Sequence, residues 1–136
     1  MRRSIRVYIA GPLSPKGLWN PNLAIDYLLN VRNMVESGKQ CLMAGLSPFV
    51  PGIDFNFFLN LRHGEEITEQ MIKDYSIDWL LACDCVLLLD KWWVSNGTLA
   101  EMDIAREHHI PMFHSVQEIV DWKNVREAAD AVHNPE

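Results

Sequence analysis

The sequence predicts an α/β fold: a parallel sheet of four or five strands with helices on both faces, three layers in one domain from residue 1 to 136. Two observations carry this. Short β-branched or apolar runs alternate with longer stretches whose apolar positions recur at helical spacing, the order that joins parallel strands through helical crossovers. One of those runs, Val86-Leu87-Leu88-Leu89, is apolar at every position, as a strand covered on both faces reads. The 136 residues, 49% of them hydrophobic, suffice for one ordinary core and are too few for two.

Ile5 to Ala10 is the first predicted strand, and Gly11-Pro12 stops it. A helix opens at Asn20-Pro21-Asn22, with an apolar face of Ala24, Tyr27, Leu28, Val31, Met34 and Val35 and with Gly38 closing it. Ser47-Pro48-Phe49-Val50-Pro51 is a short strand between breakers. Gly52 to Arg62, containing Asp54, Phe55, Phe57 and Phe58, is an aromatic-rich connection that reads as a lid or a subunit contact. A second amphipathic helix covers about Glu65 to Leu81 and runs into a strand near Asp84 to Leu89. The third helix spans about Thr98 to His108, and Ile110 to Phe113 is a fourth strand. Ser115-Val116-Gln117-Glu118 is a capping box opening a helix through Trp122, and the polar tail from about residue 123 continues helical before fraying. This succession gives a flavodoxin-like or Rossmann-like sandwich whose ligand site falls beyond the carboxyl ends of the strands.

A formal net charge of −6 argues against a surface for nucleic-acid polymers or anionic membranes, so a small-molecule ligand is expected. No apolar run approaches the roughly 20 residues that span a bilayer. Met1-Arg2-Arg3 leads into a strand pattern without a signal-peptide core, which points to the cytoplasm. Cys41, Cys83 and Cys85 are odd in number and sit inside apolar patterns, as reduced core thiols do. His63, His108, His109, His114 and His133 show no ligand spacing, so no metal is expected, and no other cofactor either. Neither Gly-x-Gly-x-x-Gly nor Gly-Lys-Ser/Thr follows a strand.

The most informative segment runs from Asp90 to Glu101. It leaves an apolar strand, passes a polar turn and enters a helix carrying a carboxylate one turn in. Ser95, Asn96, Gly97 and Thr98 lie where unpaired backbone N–H groups and the positive end of a helix dipole attract an anion, and Glu101 then faces the ligand. The competing reading makes Thr98-Leu99-Ala100-Glu101 a capping box, with Glu101 tied to the cap. Asp90 ends a strand at the crevice and either binds a sugar hydroxyl or caps its own turn; Trp92 and Trp93 either stack on a base or pack. Asp84 reads as a structural cap.

Three segments taken together resemble the nucleoside 2-deoxyribosyltransferase-like superfamily, which includes the 2'-deoxynucleoside 5'-monophosphate N-glycosidases. They are Val7-Tyr8-Ile9-Ala10-Gly11-Pro12, Asp78-Trp79-Leu80-Leu81-Ala82-Cys83-Asp84 and Ser95-Asn96-Gly97-Thr98-Leu99-Ala100-Glu101. The spacing from Leu88 to Glu101 looks most like a little-characterised branch common in phages and bacteria. The resemblance implies cleavage of the N-glycosidic bond of a nucleoside or its 5'-monophosphate, by hydrolysis or by transfer to another base. It makes Glu101 the nucleophile, Tyr8 its orienting partner, and the Ser95-Asn96-Gly97 turn the binder of the sugar or its 5'-phosphate; Gly11, Pro12, Asp90, Trp92 and Thr98, expected at the crevice from their places at strand ends and the helix start, complete the substrate-binding set. The family's usual acid, eight residues before the position of Asp84, is replaced here by Ser76, also placed at the substrate. Asp78 is the nearby candidate acid, although it and Asp74 each lie about 200° around a helix from Ser76. The resemblance further implies a homodimer or higher homo-oligomer. Two alternatives stand beside it: a lysine-decarboxylase-like phosphoribohydrolase, sharing Gly97-Thr98-x-x-Glu101 but lacking the Pro-Gly-Gly before it, and a non-catalytic nucleotide-binding module.

Overall fold

The computed structural model describes residues 3–13 and 21–133. Four parallel strands, β1 (Arg6–Ala10), β2 (Ser47–Phe49), β3 (Cys85–Leu88) and β4 (Met112–Phe113), form a sheet in the order β2-β1-β3-β4. The helices are α1 (Pro21–Met43), α2 (Phe55–Leu59), α3 (Glu69–Ala82), α4 (Asn96–Glu107) and α5 (Val116–His133), with 3-10 turns at Pro51–Asp54 and Trp92–Val94. The three-layer α/β fold is therefore the one that forms. Its strand order reverses between β1 and β3, so the loops after those strands part and leave a crevice at the carboxyl edge.

Alternation along the two central strands divides the core. Val7 and Ile9 of β1 and Cys85 and Leu87 of β3 meet Met34 and Cys41 of α1 and Ile119 of α5 on one face. Tyr8 and Ala10 with Val86 and Leu88 meet Leu80 of α3 and Met102 and Ala105 of α4 on the other. All four β3 residues are buried, as the unbroken apolar run requires.

The described residues correct several expected boundaries. The expected helix start at Asn20 lies outside them. Gly38 does not close α1 but sits inside it, where a Cβ would come within 2.7 Å of Val50 Cγ2; glycine lets the helix press onto the chain leaving β2. The helix ends five residues later, where Gly45 takes φ +79° and the Leu46 N–H returns to the Cys41 carbonyl at 2.9 Å. The buried stripe of α1 is Val31, Met34, Gly38 and Cys41, which leaves Leu28 and Val35 exposed. The connection after β2 coils into a 3-10 turn and α2, and α5 continues as helix through His133. Ser115 Oγ accepts the Glu118 N–H at 3.1 Å, as expected of that cap, while Glu118 accepts from His114 N at 3.4 Å.

Asp84, at the amino end of β3, is structural. Its carboxylate accepts two bonds from the Arg3 guanidinium at 2.6 and 2.8 Å and the Arg6 N–H at 2.8 Å. Partial burial pushes its pKa up, but these donors outweigh it and hold the group below its ordinary value. No helix among the described residues is long and apolar enough to cross a membrane.

At the other end of the central pair, the Leu89 N–H bonds to the Ala10 carbonyl at 2.9 Å, and Gly11 packs so closely that a Cβ would lie 2.8 Å from Leu89 Cβ. That neighbour is fixed to the backbone and cannot swing away. Gly11→Ala is expected to lower stability by about 1–3 kcal/mol through this overlap, read as a fall in denaturant midpoint at unchanged slope; an unaltered midpoint would contradict the packing described.

Candidate active site

Tyr8 is fully buried in the middle of β1, with its side chain on the face covered by α3 and α4. It stacks on Phe49 of β2 (5.5 Å between centroids, 24° between planes), its partner in the strand register. Phe49 in turn stacks on Trp79 of α3 at 5.3 Å and tilts against Tyr75 at 5.8 Å. The Tyr8 ring thus belongs to an aromatic wall.

α4 brings Glu101 to the Tyr8 hydroxyl. Ser95 is the cap of this helix: its Oγ accepts the Thr98 N–H at 3.2 Å, and the helix begins at Asn96, not Thr98. The Thr98–Glu101 capping box therefore does not form, because Thr98 is already the third residue of the helix. Thr98, Met102 and Ala105 form the buried stripe of α4, and Glu101 projects alongside it toward the sheet. A carboxylate on the core side of an amphipathic helix is out of place on stability grounds alone.

The electrostatics follow from this burial. Burial pushes the Glu101 carboxyl up to about 7 from an ordinary 4.5, with the Tyr8 hydroxyl pulling the other way. The Tyr8 phenol is driven far above its ordinary range, first by burial and then by the Glu101 charge, while Ser76 opposes this from α3. Tyr8, Glu101 and Ser76 therefore sense one another, yet Tyr8 Oη and Glu101 Oε2 are sealed from solvent without a hydrogen bond of regular geometry. Thr98 Oγ1 is in the same condition. Three buried polar atoms on the adjoining elements β1 and α4 thus lie without a regular hydrogen bond.

The remaining expected residues divide. Pro12, Asp90 and Ser95 line a separate cleft of about 850 Å³ on the α1 side, with Lys91, Asp26 and Asn30. Asp90 Oδ1 accepts the Lys91 N–H at 2.9 Å, bracing a turn in which Lys91 takes the left-handed φ of 59°. Gly11 lies buried at the junction of β1 and β3. Asn96 and Gly97 are exposed in the first turn of α4. Trp92 is half-buried against the cluster containing Tyr8 and meets Trp93 edge-on at 5.7 Å. Asp78 is exposed on α3; with Ser76 turned to Tyr8, it lies about 200° around the helix and does not join the group. Among the described residues no three His, Cys, Asp or Glu side chains gather as a metal would need. Phe49 is the member that sequence reasoning missed, since its place beside Tyr8 depends on a strand register that no local pattern encodes.

The model of a family described as a domain of unknown function, DUF4406, matches residues 5–114, a span that holds Tyr8, Phe49, Ser76 and Glu101 and ends just after β4. No curated protein matches the chain.

The raised Glu101 pKa makes stability depend on pH with a defined sign. The folded protein binds this proton more tightly than the unfolded chain, so stability is greatest below about pH 4.5 for this group and falls as pH rises to about 7, by on the order of 3 kcal/mol. Glu101→Gln should remove this component and melt above the parent at pH 8; matching pH dependence of Tm in both proteins would refute the burial of this charge.

Proposed function

The chain belongs to the DUF4406 family, and within it we propose an enzyme that cleaves the N-glycosidic bond of a nucleoside or nucleoside 5'-monophosphate. The observation that supports this most directly is the Glu101 carboxylate, buried beside the Tyr8 hydroxyl at the strand-order switch point and tuned to ionise near neutrality. The resemblance of Val7 to Pro12, Asp78 to Asp84 and Ser95 to Glu101 to the nucleoside 2-deoxyribosyltransferase-like superfamily agrees with it.

In this reading the ionised Glu101 attacks the anomeric carbon as the bond to the base nitrogen breaks. The bonding electrons leave with the base, which takes up a proton, and the oxocarbenium-like transition state is stabilised by the adjacent carboxylate. Tyr8 donates to a Glu101 oxygen and aims the other at the sugar. Water, or the nitrogen of a second base, then opens the glycosyl ester and returns Glu101 as a carboxylate. Desolvation makes that carboxylate more basic and hence a stronger nucleophile once deprotonated. With Ser76 beside Tyr8, Glu101 is the one carboxylate acting on that phenol, and this favours the second reading, a nucleotide-binding module without turnover.

The test is chromatography of free base after incubation with nucleosides and their 5'-monophosphates, with and without a second base. Base should be released or exchanged, with turnover rising as pH passes upward through about 7. Glu101→Gln should lose about a thousandfold or more and Tyr8→Phe about tenfold or more. A folded protein that binds nucleosides without releasing base would overturn the enzyme and leave the binding module.

A further inference from the structure

A second buried carboxylate stands at the same edge of the sheet. Asp54 ends the 3-10 turn after β2 and is 9% exposed. Parallel strands have their carboxyl ends on one edge, and the turn with Asp54 follows the carboxyl end of β2, the neighbour of the strand that carries Tyr8. The turn that carries it is held against α1, where Gly52 is so close that a Cβ would sit 3.3 Å from Met34 Sδ and 3.6 Å from Val31 Cα.

Asp54 lacks the partners that buried acids ordinarily have. Among the described residues no cation pairs with it, and although it precedes α2 its side chain makes no cap bond there. Burial pushes its pKa up, opposed only by the Phe55 N–H. Its neighbours are two half-buried phenols, Tyr27 of α1 and Tyr75 of α3, both raised by burial and by the Asp54 charge. Tyr75 is part of the aromatic wall: its ring lies 5.8 Å from Phe49 and 5.7 Å from Phe57, and Phe49 stacks on Tyr8. A chain of ring contacts thus runs from Tyr75, beside Asp54, through Phe49 to Tyr8, beside Glu101.

Resting on the glycosidic reading above, we propose that Asp54 is the base-specificity residue of this site, accepting an N–H from the exocyclic amino group of the nucleobase. A sugar whose anomeric carbon sits at Glu101 carries its base along the Phe49–Tyr75 wall toward Asp54. A desolvated carboxylate offers only acceptors, so it rewards an amino group and repels a carbonyl oxygen at the same position; leaving it unmatched forfeits the bond and keeps the desolvation. The substrate class is therefore the amino-bearing bases, adenine, cytosine and guanine, over their oxo counterparts.

Matched pairs read this directly: deoxyadenosine against deoxyinosine, and deoxycytidine against deoxyuridine, each with the wild type and with Asp54→Asn. The wild type should favour the amino member of a pair by about tenfold or more in kcat/KM, and Asp54→Asn, whose amide can donate to a carbonyl, should erase or reverse the preference chiefly through KM. An equal loss on both members, or a ratio the substitution leaves unchanged, overturns the assignment. If no base is released, equilibrium binding of the same pairs decides separately. An amino preference that Asp54→Asn abolishes supports Asp54 while ending the bond-cleavage reading, and the absence of any preference overturns both.

Discussion

The pairing of β1 with β3 is the constraint on which the rest depends. Both strands are buried on both faces, so every side chain between Val7 and Ala10 and between Cys85 and Leu88 must belong to one of two cores. A tyrosine in such a strand has no route to solvent. Its hydroxyl must meet something polar inside the protein, and the elements able to supply that are the helices laid over its face. Ser76 of α3 and Glu101 of α4 are therefore consequences of where β1 runs as much as features of their own helices. The strand-order reversal at the same pair then parts the loops beyond their carboxyl ends.

The arrangement separates two duties that one carboxylate cannot perform together. Had Thr98 been the cap, Glu101 would bond to a backbone N–H at the helix start, held and partly neutralised. With Ser95 as the cap, the first turn is satisfied by a small hydroxyl and Glu101 carries no responsibility for the helix end. Moving the cap of α4 by three residues changes the chemistry of Glu101 without altering the sequence around it. The resulting burial works against the fold at neutral pH.

The layered architecture was legible because it rests on local patterns: the unbroken apolar run at β3, the breaker after β1 and the helical repeats between. Tyr8 and Glu101 were legible as well, one from its place in a strand and the other from its place one turn into a helix behind a polar turn. Three things were not. Gly38 reads as a terminator because glycine commonly is one, and only the close approach of Val50 explains it inside a helix. The exposure of Leu28 and Val35 escapes a periodicity argument, since α1 has apolar residues on more than one face and packing decides which is covered. The division between the Tyr8–Glu101 group and the cleft lined by Pro12, Asp90 and Ser95 depends on which face of the sheet each residue leaves, a matter of register and loop path.

The outer strands have a further consequence. β2 and β4 contribute only three and two residues, and Pro48 removes a backbone donor from the first. The sheet therefore offers an incoming strand almost no ladder at either side, while its long, fully paired strands lie in the middle. Proteins with exposed, extended edges recruit one another by adding strands, and those of this design resist it. Lateral growth of the sheet is thus discouraged by backbone geometry alone, whatever the apolar side chains on the surrounding helices do.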